Sequence, residues 1–154
     1  MRQIKINWNA FLKIACEKYP EEAAAMLYAT KMYSENEEWF VFPIENIADN
    51  PEDAWIPDKK EIAKLKKIAK KKELIKLGNI HSHPFPKDAK KTEEDICELV
   101  RPSELDLKYA SKFSDTVRGI VLTDGSAILA MFFHDLYGNE IPIHLNSENY
   151  LLEE

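Results

Sequence analysis

The chain has 154 residues, 45% of them apolar and 31% charged, with a net charge of −6 and a pI of about 5.3. That length suits one domain around one core, and the acidic balance argues against nucleic-acid binding by general electrostatics. No apolar run approaches the roughly 18 residues of a membrane span, and charged residues break up the apolar positions near Met1, which excludes a signal peptide and leads us to expect a cytoplasmic location.

Ile4 and Ile6 flank Lys5, the alternation of a short opening strand. Phe11, Leu12, Ala15 and Tyr19 recur at helical spacing until Pro20 closes the helix. Residues 23–33 are apolar, then polar, without a breaker, and read as a strand. Residues 38–43, with Trp39, Phe40, Val41 and Phe42, read as its hairpin partner across a polar turn at 34–37. Residues 46–57 form a loop punctuated by Pro51 and Pro57. Asp58 is placed as an N-cap, with Glu61 completing a capping box. The helix that follows runs to about Lys72 and buries Ile62, Leu65, Ile68 and Ala69; its many lysines read as a solvated face. Residues 74–80 read as a buried strand leading into His81. Two short helices follow, over 92–100 and 103–113, then strands over 118–122 and 127–133 around the Asp124-Gly125 turn, and a last strand over 141–145. This order predicts an α/β domain with a mixed sheet flanked by helices. Cys16 and Cys97 lack CxxC spacing and read as core or helix-face thiols in a reduced compartment.

His81 and His83 stand at alternate positions at a strand end. Both imidazoles therefore share a face, with Cα atoms roughly 6.6 Å apart, close enough to converge on one cation. Neutral imidazole is a good zinc ligand, and a catalytic zinc usually takes three protein ligands and keeps one position open. Pro84 ends the ladder and turns the rings toward a loop region. Two downstream segments offer a hydroxyl residue followed three later by aspartate: Thr92 with Asp95, and Ser103 with Asp106. Both also look like helix starts. Ser82 points away from the two rings, so a serine nucleophile paired with either histidine is disfavoured. His134 and His144 read as structural.

His81-Ser82-His83-Pro84 followed by Pro102-Ser103-Glu104-Leu105-Asp106 resembles the signature of the JAMM metalloproteases, the catalytic form of the MPN domain. Pro20-Glu21-Glu22-Ala23-Ala24-Ala25 is similar to the setting of that family's upstream glutamate. The loop, the amphipathic helix and the strand into His81 follow the family's order, so the resemblance spans roughly residues 8–133. It implies a single MPN domain of cytidine-deaminase-like α/β fold over 1–154. It also implies one Zn2+ per chain held by His81, His83 and Asp106. Glu22 would be general base toward the zinc-activated water, and Ser103 would donate a hydrogen bond to the developing oxyanion.

Two departures stand out. Ala25 occupies a position where the family usually has glycine. Seventeen residues separate Pro84 from Pro102, more than the family usually has, which makes 85–101 an insertion beside the site, read as a lid or substrate-contact element. Thr92 and Asp95 would nearly restore the usual gap. Pro102-Ser103, however, reproduces the family dipeptide, and Asp106 leaves room for one helix and a turn before the strand at Ile120. The resemblance implies a zinc isopeptidase or peptidase that removes or processes a ubiquitin-like modifier. The partner would be that protein or its conjugates, its tail extended beside a sheet edge as in β-augmentation. The competing readings are a zinc amidase or peptidase acting on another substrate, such as cell-wall peptide, and a non-catalytic MPN scaffold subunit. Nucleic-acid binding through the lysine-rich helix is the remote alternative.

Overall fold

The computed structural model describes residues 2–30, 36–110, 117–141, 143–146 and 149–152. The chain opens with β1 (Arg2–Asn7) and α1 (Asn9–Lys18), then forms β2 (Ala24–Ala29) and β3 (Asn36–Ile44). Next, α2 (Lys59–Lys71) leads into β4 (Ile75–Pro84), and α3 (Glu93–Leu99) and α4 (Glu104–Ala110) connect β4 to β5 (Val117–Thr123). The chain continues through β6 (Ile128–His134), β7 (Ile143–Asn146) and β8 (Asn149–Leu152). Among the described residues, eight strands make one mixed sheet in the order β6-β5-β4-β2-β3-β1-β8-β7. β1 with β3 and β4 with β5 are parallel; the other neighbours run antiparallel. No helix among the described residues is long and apolar enough to cross a membrane.

The central strand β2 is buried along its whole length because both of its faces are covered. Ala25, Leu27 and Ala29 face a core with Phe11 and Ala15 of α1, Trp39 and Phe133. Ala24, Met26 and Tyr28 face a second cluster with Ile44, Ala69 and the half-buried Ile62 and Leu65 of α2. A strand buried on both sides reads as a continuous apolar run, which is how residues 24–29 read. Ala25, at the departure from the family pattern, is fully buried opposite Pro43 and Ile80.

Several local expectations need correction. Asp58 does cap α2, accepting from the Lys60 N–H at 2.9 Å, but Glu61 does not close a capping box. Its Oε2 instead accepts from the Glu45 N–H at 2.6 Å and ties the helix start to the end of β3. Ile68 is 42% exposed; the buried stripe runs through Ile62, Leu65 and Ala69, and Ile68 lies one step around the helix from it. β2 ends at Ala29, short of residue 33. β3 already begins at Asn36, so residues 36–37 of the expected polar turn belong to the strand, and 34–35 lie outside the described residues, as does the end of the helix expected to reach residue 113. β8, which no local sequence pattern marks, pairs with β1 through Ile4↔Tyr150 and with β7.

The two ends of the segment 85–101 pack onto the sheet. Phe85 and Val100 are buried with Ile120, Leu122 and Phe132, and Ile96 and Leu99 of α3 pack beside them. α3 and Phe85 thus pack over β5 and β6, while residues 86–94 between them are exposed.

Candidate metal centre

The register of β4 sets the stage. His81 pairs with Ala24 on one side and Ile120 on the other, and His83 pairs with Leu122. Paired residues share a sheet face. Ala24 belongs to the cluster under α2, and Ile120 and Leu122 to the cluster under α3. The two imidazoles thus emerge between two apolar clusters, near the end of β4, on the face that α2 and α3 cover. Ser82 faces the other way and is fully buried. Its Oγ accepts from the Ala23 N–H at 2.8 Å and its own N–H donates to the Ala23 carbonyl at 2.9 Å, so it staples β4 to the chain beside Glu22.

Asp106 comes to the same point from the first turn of α4. Ser103 and Asp106 cap the helix reciprocally: the Asp106 N–H donates to Ser103 Oγ at 3.1 Å, and the Ser103 N–H donates to Asp106 Oδ2 at 2.9 Å. That box fixes the carboxylate rotamer and leaves the exposed Ser103 hydroxyl proton free to donate elsewhere. Asp106 Oδ2 lies 3.2 Å from His83 Nε2, and Oδ1 lies 3.5 Å from His81 Nε2. The two Nε2 atoms are 3.0 Å apart. Tetrahedral zinc with bonds of about 2.0–2.1 Å sets its ligand atoms about 3.3 Å apart. Two imidazole nitrogens and a carboxylate at these separations could hold one metal ion of that size.

Glu22 is 6% exposed and stands slightly further out, its Oε1 3.9 Å from His81 Nε2. Donor atoms of Glu22, His81 and His83 lie within 4.8 Å of one another. Asp106 approaches both imidazoles more closely, so the tight triangle is His81, His83 and Asp106, with Glu22 beside it. The Glu22 backbone is clamped: its N–H donates to the Pro51 carbonyl at 2.6 Å, and its carbonyl accepts from Asn46 Nδ2 at 2.8 Å.

Asp95 is not among the described groups within ion-pairing distance of either imidazole. Thr92 caps α3 by accepting from the Asp95 N–H at 3.2 Å. His134 is buried, and its Nδ1 donates to the Asp135 carbonyl at 2.8 Å. His144 falls in β7, where side chains are outside the described set. Cys16 is half-buried with Sγ 3.4 Å from Thr123 Oγ1, and Cys97 is exposed on α3.

Burial and charge set the protonation of the cluster. Burial pushes the Glu22 carboxyl up to about 7; the opposing pull of His83 is smaller, and Asp106 and Asp53 add to the rise. Burial also lowers His81, against the hydrogen bond that Asp106 accepts from it, and so favours the neutral imidazole, the form a metal needs. Burial opposes charging of His83, but Asp106 and the Leu99 carbonyl outweigh it and raise that histidine. Burial would raise Asp106 as well; its hydrogen bonds with His81 and His83 and the Ser103 amide hold it well below the usual carboxylate range.

Three groups at the site carried no sequence signal. The Leu99 carbonyl, at the end of α3, lies 2.8 Å from His83 Nδ1. Trp55 stacks on the His81 ring at 5.6 Å between centroids and 27° between planes. His81 Nδ1 has no hydrogen-bond partner among the described residues, so on that side of the site the ring is braced by this stack, and on the other by the contacts of its Nε2 with His83 and Asp106. Asn46 bonds four ways, donating to the carbonyls of Glu22 and Ala54 and accepting from the N–H groups of Ala48 and Ile56. It joins the backbone of Glu22 to the loop that carries Trp55. An asparagine in a loop looks like an ordinary turn residue until the strands around it are placed.

Residues 5–95 match the family model of the prokaryotic homologues of the JAB domain. The chain belongs to this family. The match takes in Glu22, His81 and His83 and stops short of Ser103 and Asp106. The JAB/MPN fold is shared with solved structures. A JAB1/MPN domain protein from Archaeoglobus fulgidus is 19% identical with a TM-score of 0.52, over 90% of this chain and 94% of that one. A protein from Desulfitobacterium hafniense is 20% identical with a TM-score of 0.55, over 98% and 90%. One from Salinibacter ruber is 21% identical with a TM-score of 0.51, over 97% and 88%. No curated protein matches the chain. Within the JAB fold, the HxH strand, the capped aspartate and the glutamate before β2 form the group described above.

Proposed function

We propose that this JAB-domain chain is a zinc-dependent peptidase or isopeptidase that processes a ubiquitin-like modifier or releases it from its conjugates. The observation that carries the reading is the triangle of His81 Nε2, His83 Nε2 and the Asp106 carboxylate, with edges of 3.0, 3.2 and 3.5 Å, and Glu22 at 3.9 Å from its nearest corner. Zinc bound by these three residues would supply a Lewis acid for the amide carbonyl and lower the pKa of a coordinated water toward about 7.

The chain's own residues carry the proton work. Glu22, buried and with a carboxyl pushed up to about 7, is matched to accept a proton from water and return it to the leaving amine near neutral pH. Its clamped backbone holds that carboxylate in place. Ser103 has its oxygen engaged by the Asp106 N–H and its hydroxyl proton available to a developing oxyanion. Trp55 and the clusters beneath α2 and α3 wall the site with apolar surface, where such hydrogen bonds count for more than in water.

The test is zinc content by elemental analysis of wild type and His83→Ala, followed by cleavage of ubiquitin-like conjugates by wild type and Glu22→Gln. Near one zinc per wild-type chain, none in the histidine variant, and turnover lost in the glutamate variant are expected. Zinc without cleavage of any such conjugate would redirect the search to other amides. No zinc in wild type would leave the non-catalytic scaffold reading.

A further inference from the structure

A cleft of about 420 Å³ opens beside the metal centre, between Tyr19, the Glu52-Asp53 pair and residues 84–87 at the start of the insertion. It adjoins the site on two sides. Its wall continues from His83 through Pro84, and Pro51, next to Glu52, accepts the Glu22 N–H. Tyr19 is a fixed platform within it. The Tyr19 hydroxyl donates to the Phe85 carbonyl. Gly125 (φ 91°) lets the backbone close on the ring; a Cβ there would lie 2.8 Å from Tyr19 Cδ1. The Lys87 ammonium lies over the same ring, 5.9 Å from its centroid. An aromatic face is thus already holding a cation, in a cleft whose lining, among the described residues, carries the carboxylates of Glu52 and Asp53 and the ammonium of Lys87.

We propose that this cleft is a subsite for a lysine or arginine side chain of the substrate, next to the scissile amide, and that Lys87 occupies the Tyr19 platform as an internal surrogate until substrate displaces it. The substrate class is then a peptide or isopeptide with a basic residue beside the cleaved bond. The proposal rests on the peptidase reading for its role in catalysis, but its binding chemistry needs no metal.

The experiment titrates the 15N-labelled full chain, with and without zinc, with N-acetyl-arginine amide and with N-acetyl-norleucine amide as the neutral counterpart. The arginine amide is expected to shift the backbone resonances of Glu52, Asp53 and Lys87 in both forms, and the norleucine amide is not. Lys87→Ala removes the surrogate and is expected to tighten the arginine amide about threefold. Glu52→Gln with Asp53→Asn, two exposed substitutions, is expected to weaken it about fivefold. Equal response to the two amides, shifts confined to other surfaces, no binding, or Lys87→Ala without tightening would each overturn the subsite. Zinc content and conjugate cleavage are read separately, so the subsite and the peptidase reading fail independently.

Discussion

His83 donates its Nδ1 hydrogen to the carbonyl of Leu99, 2.8 Å away, across sixteen positions of sequence. A carbonyl only accepts, so this bond fixes which nitrogen carries the hydrogen and leaves Nε2 facing His81 and Asp106. The acceptor belongs to the segment 85–101. That segment therefore orients the His83 ring from behind, the position that outer partners take at histidines that do bind a metal.

Val100 anchors that carbonyl through the cluster it shares with Phe85 and Ile120. Val100→Ala is expected to destabilise the chain by about 2 kcal/mol and to weaken zinc about tenfold, measured by competition with a chelator. Unchanged zinc affinity in the folded variant would mean that His83 holds its orientation without Leu99.

The two aspartates after capping hydroxyls differ in what they reach. Asp106 lies within 3.5 Å of both imidazoles, whereas Asp95 is not within ion-pairing distance of either. Asp106→Asn is expected to weaken zinc by more than about 100-fold and Asp95→Asn to leave it unchanged. The reverse order would move the third ligand to the insertion.

Glu22 supplies a stability signature independent of turnover. Its carboxyl titrates near 7 in the folded chain against 4.5 as the reference value. Between those values the native state holds a proton that the unfolded chain has lost, so this contribution is full below 4.5 and declines as pH rises to about 7. Its full size is about 3 kcal/mol. In the metal-free protein, Glu22→Gln should therefore be more stable than wild type at pH 8 and similar to it near pH 4.5, as urea melts would show. The same variant should retain zinc and lose about 10²–10⁴ in kcat. A wild-type kcat in zinc-loaded Glu22→Gln would remove the general-base assignment.

Zinc uptake should release one proton from the histidine pair. His83 is raised above 6.5 and His81 lowered below it, so just above pH 6.5 the metal-free pair carries its proton on His83 and zinc must displace it. Apparent affinity then falls as pH falls, with a slope of about one in log Kd per pH unit below the His83 value. Measured in Glu22→Gln to remove the neighbouring titration, a slope near two would show that both imidazoles are charged before binding.

Much of the fold follows from local patterns. Alternation at Ile4 and Ile6, Pro20 after a helical repeat, the aromatic run of residues 39–42 and the Asp124-Gly125 turn each mark an element that is present. The HxH pair and the Ser-x-x-Asp cap were legible for the same reason: strand and helix periods fix which side chains share a face. Glu61 and Ile68 depart from the helix pattern because that pattern does not say which neighbour competes for a side chain. β8 escaped because a four-residue strand draws on the open edge of β1 rather than on its own composition.

By itself, then, the sequence determined that two imidazoles face one way at a strand end, that a capped aspartate follows, and that a glutamate precedes an apolar strand. Spacing did not determine which aspartate meets the histidines, since Asp95 and Asp106 both stand three residues after a capping hydroxyl. That choice was made by the packing of α3 on β5 and β6, which places the Leu99 carbonyl behind His83 and leaves the first turn of α4 in front of it. Contacts such as Trp55 on His81 and Asn46 on Glu22 join segments remote in sequence, and their partners exist only once β2 and β4 are paired. Local spacing fixes the direction of a side chain, but only the assembled sheet fixes what lies within 3 to 4 Å of it.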